Sequence, residues 1–227
     1  MSWSSGKDST MALDAIRRSS AYEVVGLLVT MNADAGRVAM HAVRRSLVEA
    51  QAARLGLAIT FIELPVACSN EIYELRMSEA IESALADGVE HMAFGDLFLQ
   101  DVRSYRENQM ARTDISPIFP LWGQPTDILA RAMIESGVKS VLTCVDPAQL
   151  PASFAGRLFD ESLLAELPAT IDPCGERGEF HTFVFDGPGF SSPIDVAIGD
   201  LVERDGFVFC DVRVPDHTDD PSTLLLS

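Results

Sequence analysis

Apolar positions along the chain follow two alternating rhythms. Met11, Ala12, Ala15 and Ile16 recur at helical spacing in the run from Thr10 to Ile16, which predicts a helix with one buried face. The run from Glu23 to Thr30 is continuously apolar and rich in β-branched residues, as expected of a strand covered on both faces. The pattern then repeats: a helix over His41 to Leu55, a strand over Ala58 to Leu64, a helix over Asn70 to Asp87 and a short strand from His91 to Phe94. Strands alternating with long helices imply right-handed crossovers and a parallel, doubly wound α/β sheet. Only Met1 to Trp3 stand before the first turn, so either the first strand is short or the start lies upstream.

Beyond residue 115 the rhythm changes. Prolines interrupt the stretch from Ser116 to Gly123, followed by a helix from Pro125 to Ser136, a strand from Val138 to Val145 and a shorter helical piece from Asp160 to Glu166. Phe180 to Phe185, Pro193 to Glu203 and Phe207 to Val214 read as a small antiparallel meander turning at Asp205-Gly206. The expected organisation is a nucleotide-loop domain over 1–124, a smaller α+β substrate domain over 125–215 and a loosely held tail over 216–227. No internal repeat is visible.

Composition narrows the class. In 227 residues, 47% hydrophobic and 22% charged, there is enough apolar material for a substantial core, and disorder is not expected. The net charge of −17 repels nucleic-acid backbones, so a protein or small-molecule partner fits better than RNA or DNA. Cys68, Cys144, Cys174 and Cys210 form no CxxC pair and read as reduced thiols, which points to the cytoplasm. No apolar run approaches the roughly 20 residues of a membrane span, and the N-terminus reads as a ligand loop rather than a signal peptide.

That loop is Ser4-Ser5-Gly6-Lys7-Asp8-Ser9, placed between an apolar strand stub and a helix. Small residues let backbone amides turn toward an anion, and the helix N-terminus adds its partial positive charge. With one glycine and an aspartate after the lysine, it differs from the G-x-x-x-x-G-K-[ST] loop. It instead resembles the SGGKDS signature of PP-loop ATP pyrophosphatases, which cleave ATP between the α- and β-phosphates. Ser5 stands where that signature has a glycine, a replacement tolerated at negative φ and strained at positive φ.

In a doubly wound sheet ligands bind beyond the carboxyl ends of the strands. Ser4 to Ser9, Asn32 to Arg37 and Gly95-Asp96 are therefore expected to converge on one cleft, with Asp96 a candidate for a metal or ribose contact. Arg103 and Arg106, at i,i+3, either meet phosphates or an acidic substrate or belong to a salt-bridge face with Asp101 and Glu107. Between Asp172 and Phe190, Gly175 and Gly178 allow unusual backbone angles, while Glu176, Glu179, His181 and Thr182 offer carboxylates, an imidazole and a hydroxyl. This stretch is a substrate-site candidate beside the alternative of a solvated turn. Cys174 reads as a small buried hydrophobe in preference to a nucleophile.

Taken together, Ser4 to Ser9, Met40 to Arg44, Gly95 to Leu97, Pro120 to Gly123 and Cys174 to Thr182 resemble the diphthine ammonia ligase family. The resemblance implies an adenine nucleotide α-hydrolase-like N-terminal domain faced by a C-terminal domain. The implied reaction adenylates a carboxylate with release of pyrophosphate, and ammonia then displaces AMP. Diphthine on elongation factor 2 is the implied acceptor, another carboxylate the alternative. On this resemblance, amides around Ser5 and Gly6, the Lys7 ammonium and the Ser9 hydroxyl hold the phosphates, with Ser4 and Gly95 beside them. The strand at Leu28 to Thr30 takes adenine, and Mg²⁺ is expected on Asp8 or Asp96. Glu176, Glu179 and His181 line the acceptor side, where one of the carboxylates attracts ammonium and accepts its proton, with Glu179→Gln as the test. A nucleotide sensor without chemistry and a PP-loop enzyme acting on RNA or a small molecule are the competing readings. The apolar segment from Phe119 to Trp122 serves either a homodimer contact or an interdomain one.

Overall fold

The computed structural model describes residues 1–33, 36–38, 42–65 and 68–215. Elements run in the order α1 (Lys7–Ser19), β1 (Gly26–Asn32), β2 (Arg37–Val38), α2 (Arg45–Leu55), β3 (Ala58–Leu64), α3 (Asn70–Ala86), β4 (His91–Ala93), α4 (Gln100–Met110) and β5 (Ser116–Ile118). They continue with α5 (Thr126–Glu135), β6 (Lys139–Val145), α6 (Glu161–Glu166), β7 (Phe180–Asp186), β8 (Ala197–Arg204) and β9 (Phe207–Arg213).

The three N-terminal residues do a strand's work despite their brevity. Ser2 bridges Leu28 in parallel, Trp3 N–H donates to the Leu28 carbonyl at 2.9 Å, and Ser2 N–H donates to the Ala93 carbonyl at 2.9 Å. This segment joins the β1·β3 pair to the parallel β4·β5 pair, giving the spatial order β3, β1, Met1–Trp3, β4, β5. The order reverses between the N-terminal segment and β4, where a doubly wound sheet opens its binding crevice.

The second sheet is antiparallel throughout, in the order β7-β6-β9-β8. Its meander turns at Asp205-Gly206, both at positive φ (53° and 81°), the geometry a two-residue hairpin requires. Strand β7 fastens it to the first sheet: Val184 N–H donates to the Ser5 carbonyl at 3.0 Å. Gln51, buried on α2, takes the Trp3 indole N–H at 2.8 Å and donates to the carbonyls of Ser5 (3.0 Å) and Val184 (2.6 Å). One apolar core runs from Trp3 through β1 and α2 to β6, β7 and β9, with a smaller one formed by Ile81, Met92, Phe94, Met110 and Ile115.

Several expectations shift. The strand read over 23–30 lies at Gly26–Asn32, because Gly26 to Asn32 register residue for residue with Ala58 to Leu64 while Val25 is 59% exposed. Its burial alternates, since the side bearing Leu28 and Thr30 lies only half-covered beside the cleft. The meander's first strand begins at Ala197, not Pro193. Met11 and Ala15 are half-buried, and Leu13 joins Ala12 and Ile16 in the fully buried face of α1. The segment from Phe119 to Trp122 packs within the chain: Leu121 is buried, and the half-buried Phe119 stacks on Phe94 (5.6 Å) and meets the half-buried Trp122 edge-on (5.9 Å). Met40, His41 and the tail from 216 lie outside the described residues. Among the described residues no helix is long and apolar enough to cross a membrane.

Candidate active site

A cavity of about 350 Å³ opens at the reversal of strand order. Its floor is the loop before α1. Gly6 caps that helix without a side-chain acceptor, so first-turn amides face the cavity as donors for an anion. The Lys7 amide is an exception, held by the Thr182 hydroxyl at 3.1 Å. The Ser9 hydroxyl donates to the Gly6 carbonyl at 2.9 Å and lies 3.3 Å from the Ser4 hydroxyl.

Ser5 sits at φ 70°, fully buried, with its hydroxyl lacking a hydrogen bond. Its carbonyl takes both the Gln51 amide and the Val184 N–H, and these two contacts pin the backbone in the left-handed region. Gly95 enables the opposite wall to approach. A Cβ there would stand 3.1 Å from the Asp8 carbonyl carbon and the Ser9 nitrogen, so a side chain would push β4 off the loop.

Lys7 is buried, and its ammonium lies between the Phe180 and Phe159 rings (5.2 and 5.5 Å). It donates to Asp8 Oδ2 at 3.0 Å and to the Cys174 carbonyl. Burial disfavours the ammonium, but Asp8 above all, with Cys174 and Glu176, outweighs it and leaves the pKa raised. Lys7 therefore carries its charge at neutral pH.

Across the cavity stands Glu176, whose Oε1 accepts the Leu97 N–H at 2.8 Å. Burial, reinforced by Asp8 and Asp96 and opposed by the Leu97 amide and Lys7, pushes its carboxyl up to about 7. Asp96 is also raised, chiefly by burial, with Arg106 opposing. Arg106 Nε lies 3.8 Å from Asp96 Oδ2, and its guanidinium rests over Phe94 at 5.1 Å. Asp8 Oδ1 and Asp96 Oδ2 are buried without hydrogen bonds. Two orphaned carboxylate oxygens on one cavity fit a hard cation that completes its shell with water and substrate phosphate. Among the described residues no group of three or more His, Cys, Asp or Glu side chains forms a metal cage.

Of the residues singled out from sequence, Ser4, Lys7, Asp8, Ser9, Thr30, Gly95 and Asp96 line the cavity. So do Arg106, Gly175, Glu176, His181 and Thr182. Others stand back from it. Ser5, Gly6 and Leu28 lie behind the lining, and Leu28 spends its N–H on the Met1 carbonyl at 2.8 Å and its carbonyl on Trp3. Arg103 turns away because Phe119 and Trp122 capture its guanidinium (4.7 Å to each ring) and Glu107 pairs with it at 2.7 Å. Among the described residues of 32–37 none lines the cavity, and Arg37 instead reaches Asp211 on β9 at 2.8 Å.

Glu179 corrects the acceptor-side assignment. It is buried outside the cavity lining, with Oε1 taken by the Asp172 N–H (2.9 Å) and Oε2 by the Arg177 N–H (2.8 Å). A carboxylate so engaged, buried and away from the lining, shapes the loop and does not face the cavity. Cys174 is buried and its thiol is pushed up by burial, so its carbonyl, not its sulfur, serves the site. Gly175, at φ 69°, has no room for a Cβ, which would fall 2.9 Å from the Phe180 ring and carbonyl.

Sequence reasoning passed over Asp172. Its Oδ1 accepts from the amides of Cys174 (3.0 Å) and Glu176 (3.3 Å), and its Oδ2 accepts from the Thr126 hydroxyl at 2.6 Å. The Asp-Pro-x-Gly order is a turn signal that could have marked it.

Comparison with known proteins accords with this geometry. Residues 1–114 match the diphthamide synthase N-terminal domain and residues 125–213 the diphthamide synthase C-terminal domain. The human diphthine--ammonia ligase is 30% identical over 129 residues, covering 55% of this chain and 48% of the human protein. The zebrafish (Danio rerio) diphthine--ammonia ligase is 30% identical over 149 residues, covering 63% and 56%. The counterpart from Schizosaccharomyces pombe is 26% identical over 130 residues, 56% of this chain and 22% of that one. The chain thus spans about half the length of the mammalian relatives it matches. Matched along both sheets, the chain belongs to the diphthamide synthase family.

Proposed function

We infer that this chain is an ATP-dependent amide-forming ligase that adenylates a carboxylate and transfers ammonia to it. The observation that carries the reading is a buried, charged Lys7 at an anion-binding helix start, facing across one cavity a glutamate whose carboxyl sits at about 7. The resemblance to diphthine--ammonia ligases supports diphthine as the acceptor.

In the first step an acceptor carboxylate oxygen attacks the α-phosphorus of ATP, and the bond to the β-phosphate oxygen breaks. Lys7 and the first-turn amides of α1 lie where charge accumulates on departing pyrophosphate, and preorganised donors of this kind stabilise it in the transition state. Asp8 and Asp96 would hold Mg²⁺, which supplies charge neutralisation to the phosphates when bound. In the second step the nitrogen lone pair of ammonia attacks the acyl carbon and AMP departs with the carbon–oxygen bonding pair. Ammonia arrives mostly as ammonium, whose attraction to Glu176 and loss of a proton to it give this glutamate the role of general base. Arg106 is the guanidinium on the cavity for the acceptor carboxylate or the α-phosphate. Thr30 and Val38, at the β1 end, leave a half-apolar recess for the base of the nucleotide.

Product analysis tests the reading. ATP, Mg²⁺ and ammonium are supplied with elongation factor 2 carrying diphthine and with a panel of other carboxylates. Acceptor-dependent AMP and pyrophosphate, lost in Lys7→Ala, are expected. ADP with phosphate would refute α,β-cleavage, and tight ATP binding without products on any acceptor would favour a nucleotide sensor.

A further inference from the structure

We propose that Asp172, held by Thr126 at the start of α5, is a positioning residue that places the cavity glutamate and the lysine-binding carbonyl together. The inference rests on the ligase reading for its catalytic meaning and on side-chain geometry for its substance.

The loop between α6 and β7 presents two groups to the site: the Glu176 carboxylate, on the Leu97 amide, and the Cys174 carbonyl, on the Lys7 ammonium. Both residues are tied by their backbone amides to one oxygen, Asp172 Oδ1, at 3.0 and 3.3 Å. Gly175 N–H closes the turn on the Asp172 carbonyl at 2.8 Å. The other carboxylate oxygen is anchored outside the loop by the Thr126 hydroxyl, at 2.6 Å.

Thr126 is the first residue of α5, so the carboxylate also meets the positive end of that helix. Cys174 adds a second tie, its thiol donating to the Thr126 carbonyl at 3.4 Å. Asp172 is only 6% exposed and absent from the cavity lining, so it reaches the substrate only through the residues it holds. The path from Thr126 through the Asp172 carboxylate to the Glu176 backbone, and on through the Glu176 carboxylate to Leu97, links α5 to the far wall of the cavity.

Exchange of the Leu97 amide with deuterium reads this linkage directly, because that N–H is protected by Glu176 alone of the groups in the loop. The experiment uses the full chain, with Glu176→Ala as the reference for loss of the contact. In Asp172→Ala and Thr126→Val the Leu97 amide is expected to exchange at least about 10-fold and about 3-fold faster, taking a lost charged hydrogen bond at the low end of its range. The Val29 and Val141 amides, in β1 and β6, keep their native rates, and Asp172→Asn, which retains Oδ1, restores most of the protection. Where Asp172→Ala loosens Val29 and Val141 as well, Thr126→Val decides alone. Native exchange at Leu97 in a folded Thr126→Val chain overturns the proposal. The activity arm is separate: turnover falls about 100-fold in Asp172→Ala, as a displaced catalytic group predicts, with the KM for ATP within about threefold. Faster Leu97 exchange in a chain that makes no AMP would defeat the ligase reading and leave the positioning role standing.

Discussion

Replacing Ser5 by glycine should stabilise this protein, although serine lies at the heart of its ligand loop. At φ 70° a residue with a Cβ carries a strain of about 1–2 kcal/mol. Its hydroxyl is buried without a partner, an omission that costs about 1–3 kcal/mol. Glycine removes both. Against this stand about 0.4–1 kcal/mol for the greater freedom of glycine in the unfolded chain and about 0.8 kcal/mol for one buried carbon. Taken at the midpoints of these ranges, the balance favours Ser5→Gly by about 2 kcal/mol. At this chain length that raises the melting midpoint by about 4–8 °C, read by circular dichroism and checked by urea denaturation. Because Ser5 lies behind the cavity lining, nucleotide affinity should stay within about threefold. Ser5→Val, with a β-branched side chain in the same left-handed, fully enclosed position, should destabilise the fold by more than about 2 kcal/mol. A Ser5→Gly midpoint at or below the native one would refute the reasoning, since the serine side chain would then be making a favourable contact absent from this geometry.

Four further outcomes follow from the same structure. Glu176 has a folded pKa of about 7 against an ordinary 4.5, so its contribution to stability is complete below pH 4.5 and lost as pH rises through 7. Urea midpoints of Glu176→Gln should lack that decline, and the rise in activity through pH 7 should vanish with it. Glu179→Gln sets an NH₂ against the Asp172 or Arg177 amide and should cost about 1–3 kcal/mol in thermal unfolding, whereas Glu176→Gln should not. Gly95→Ala presses a methyl group against the first turn of α1 and should weaken ATP binding about 10-fold or more by calorimetry, with the far-ultraviolet spectrum unchanged. Gln51→Leu strands the Trp3 indole N–H and the carbonyls of Ser5 and Val184, and should lower unfolding free energy by about 2–4 kcal/mol in urea.

The alternating fold was legible because apolar, β-branched runs at β1 and β3 stand between helically spaced segments, although β1 buries alternate residues and β3 fully buries Ile62 alone. The cavity loop from Ser4 to Ser9 was legible for the opposite reason, as small and charged residues interrupt the apolar context where a crevice must form. What separated Glu176 from Glu179 was not visible: they share chemistry and lie three residues apart, and only the fold decides that one faces the cavity while backbone amides consume the other. Arg103 misled for a similar reason. Its i,i+3 spacing does put it near the face of Arg106, but aromatic rings from beyond β5 intercept it. Gln51 did leave a trace, as a polar residue between Val48, Ala52 and Leu55 on the buried stripe of α2. The Thr126–Asp172 contact left none, since nothing local marks a partner 46 positions away.

On the proposed reaction, a chain of net charge −17 has to accept a polyanion in a cavity that itself carries carboxylates. Asp8, Asp96 and Glu176 face Lys7 and Arg106, so with all groups ionised the cavity carries three negative charges against two positive. Raising Glu176 to about 7 and Asp96 above its ordinary range lets protonation relieve that excess, while Lys7, held by Asp8 and the Cys174 carbonyl, keeps its charge. On the proposed reaction the same imbalance serves both halves. Phosphates bring negative charge that Lys7, the α1 amides and a divalent cation on Asp8 and Asp96 must offset, which ties nucleotide entry to the cation. Once pyrophosphate and the cation depart, the carboxylates are left to attract ammonium, and Glu176 is the one poised to take its proton at neutral pH. A cavity uniformly positive would bind ATP more tightly, but it would repel the cation that the second step consumes.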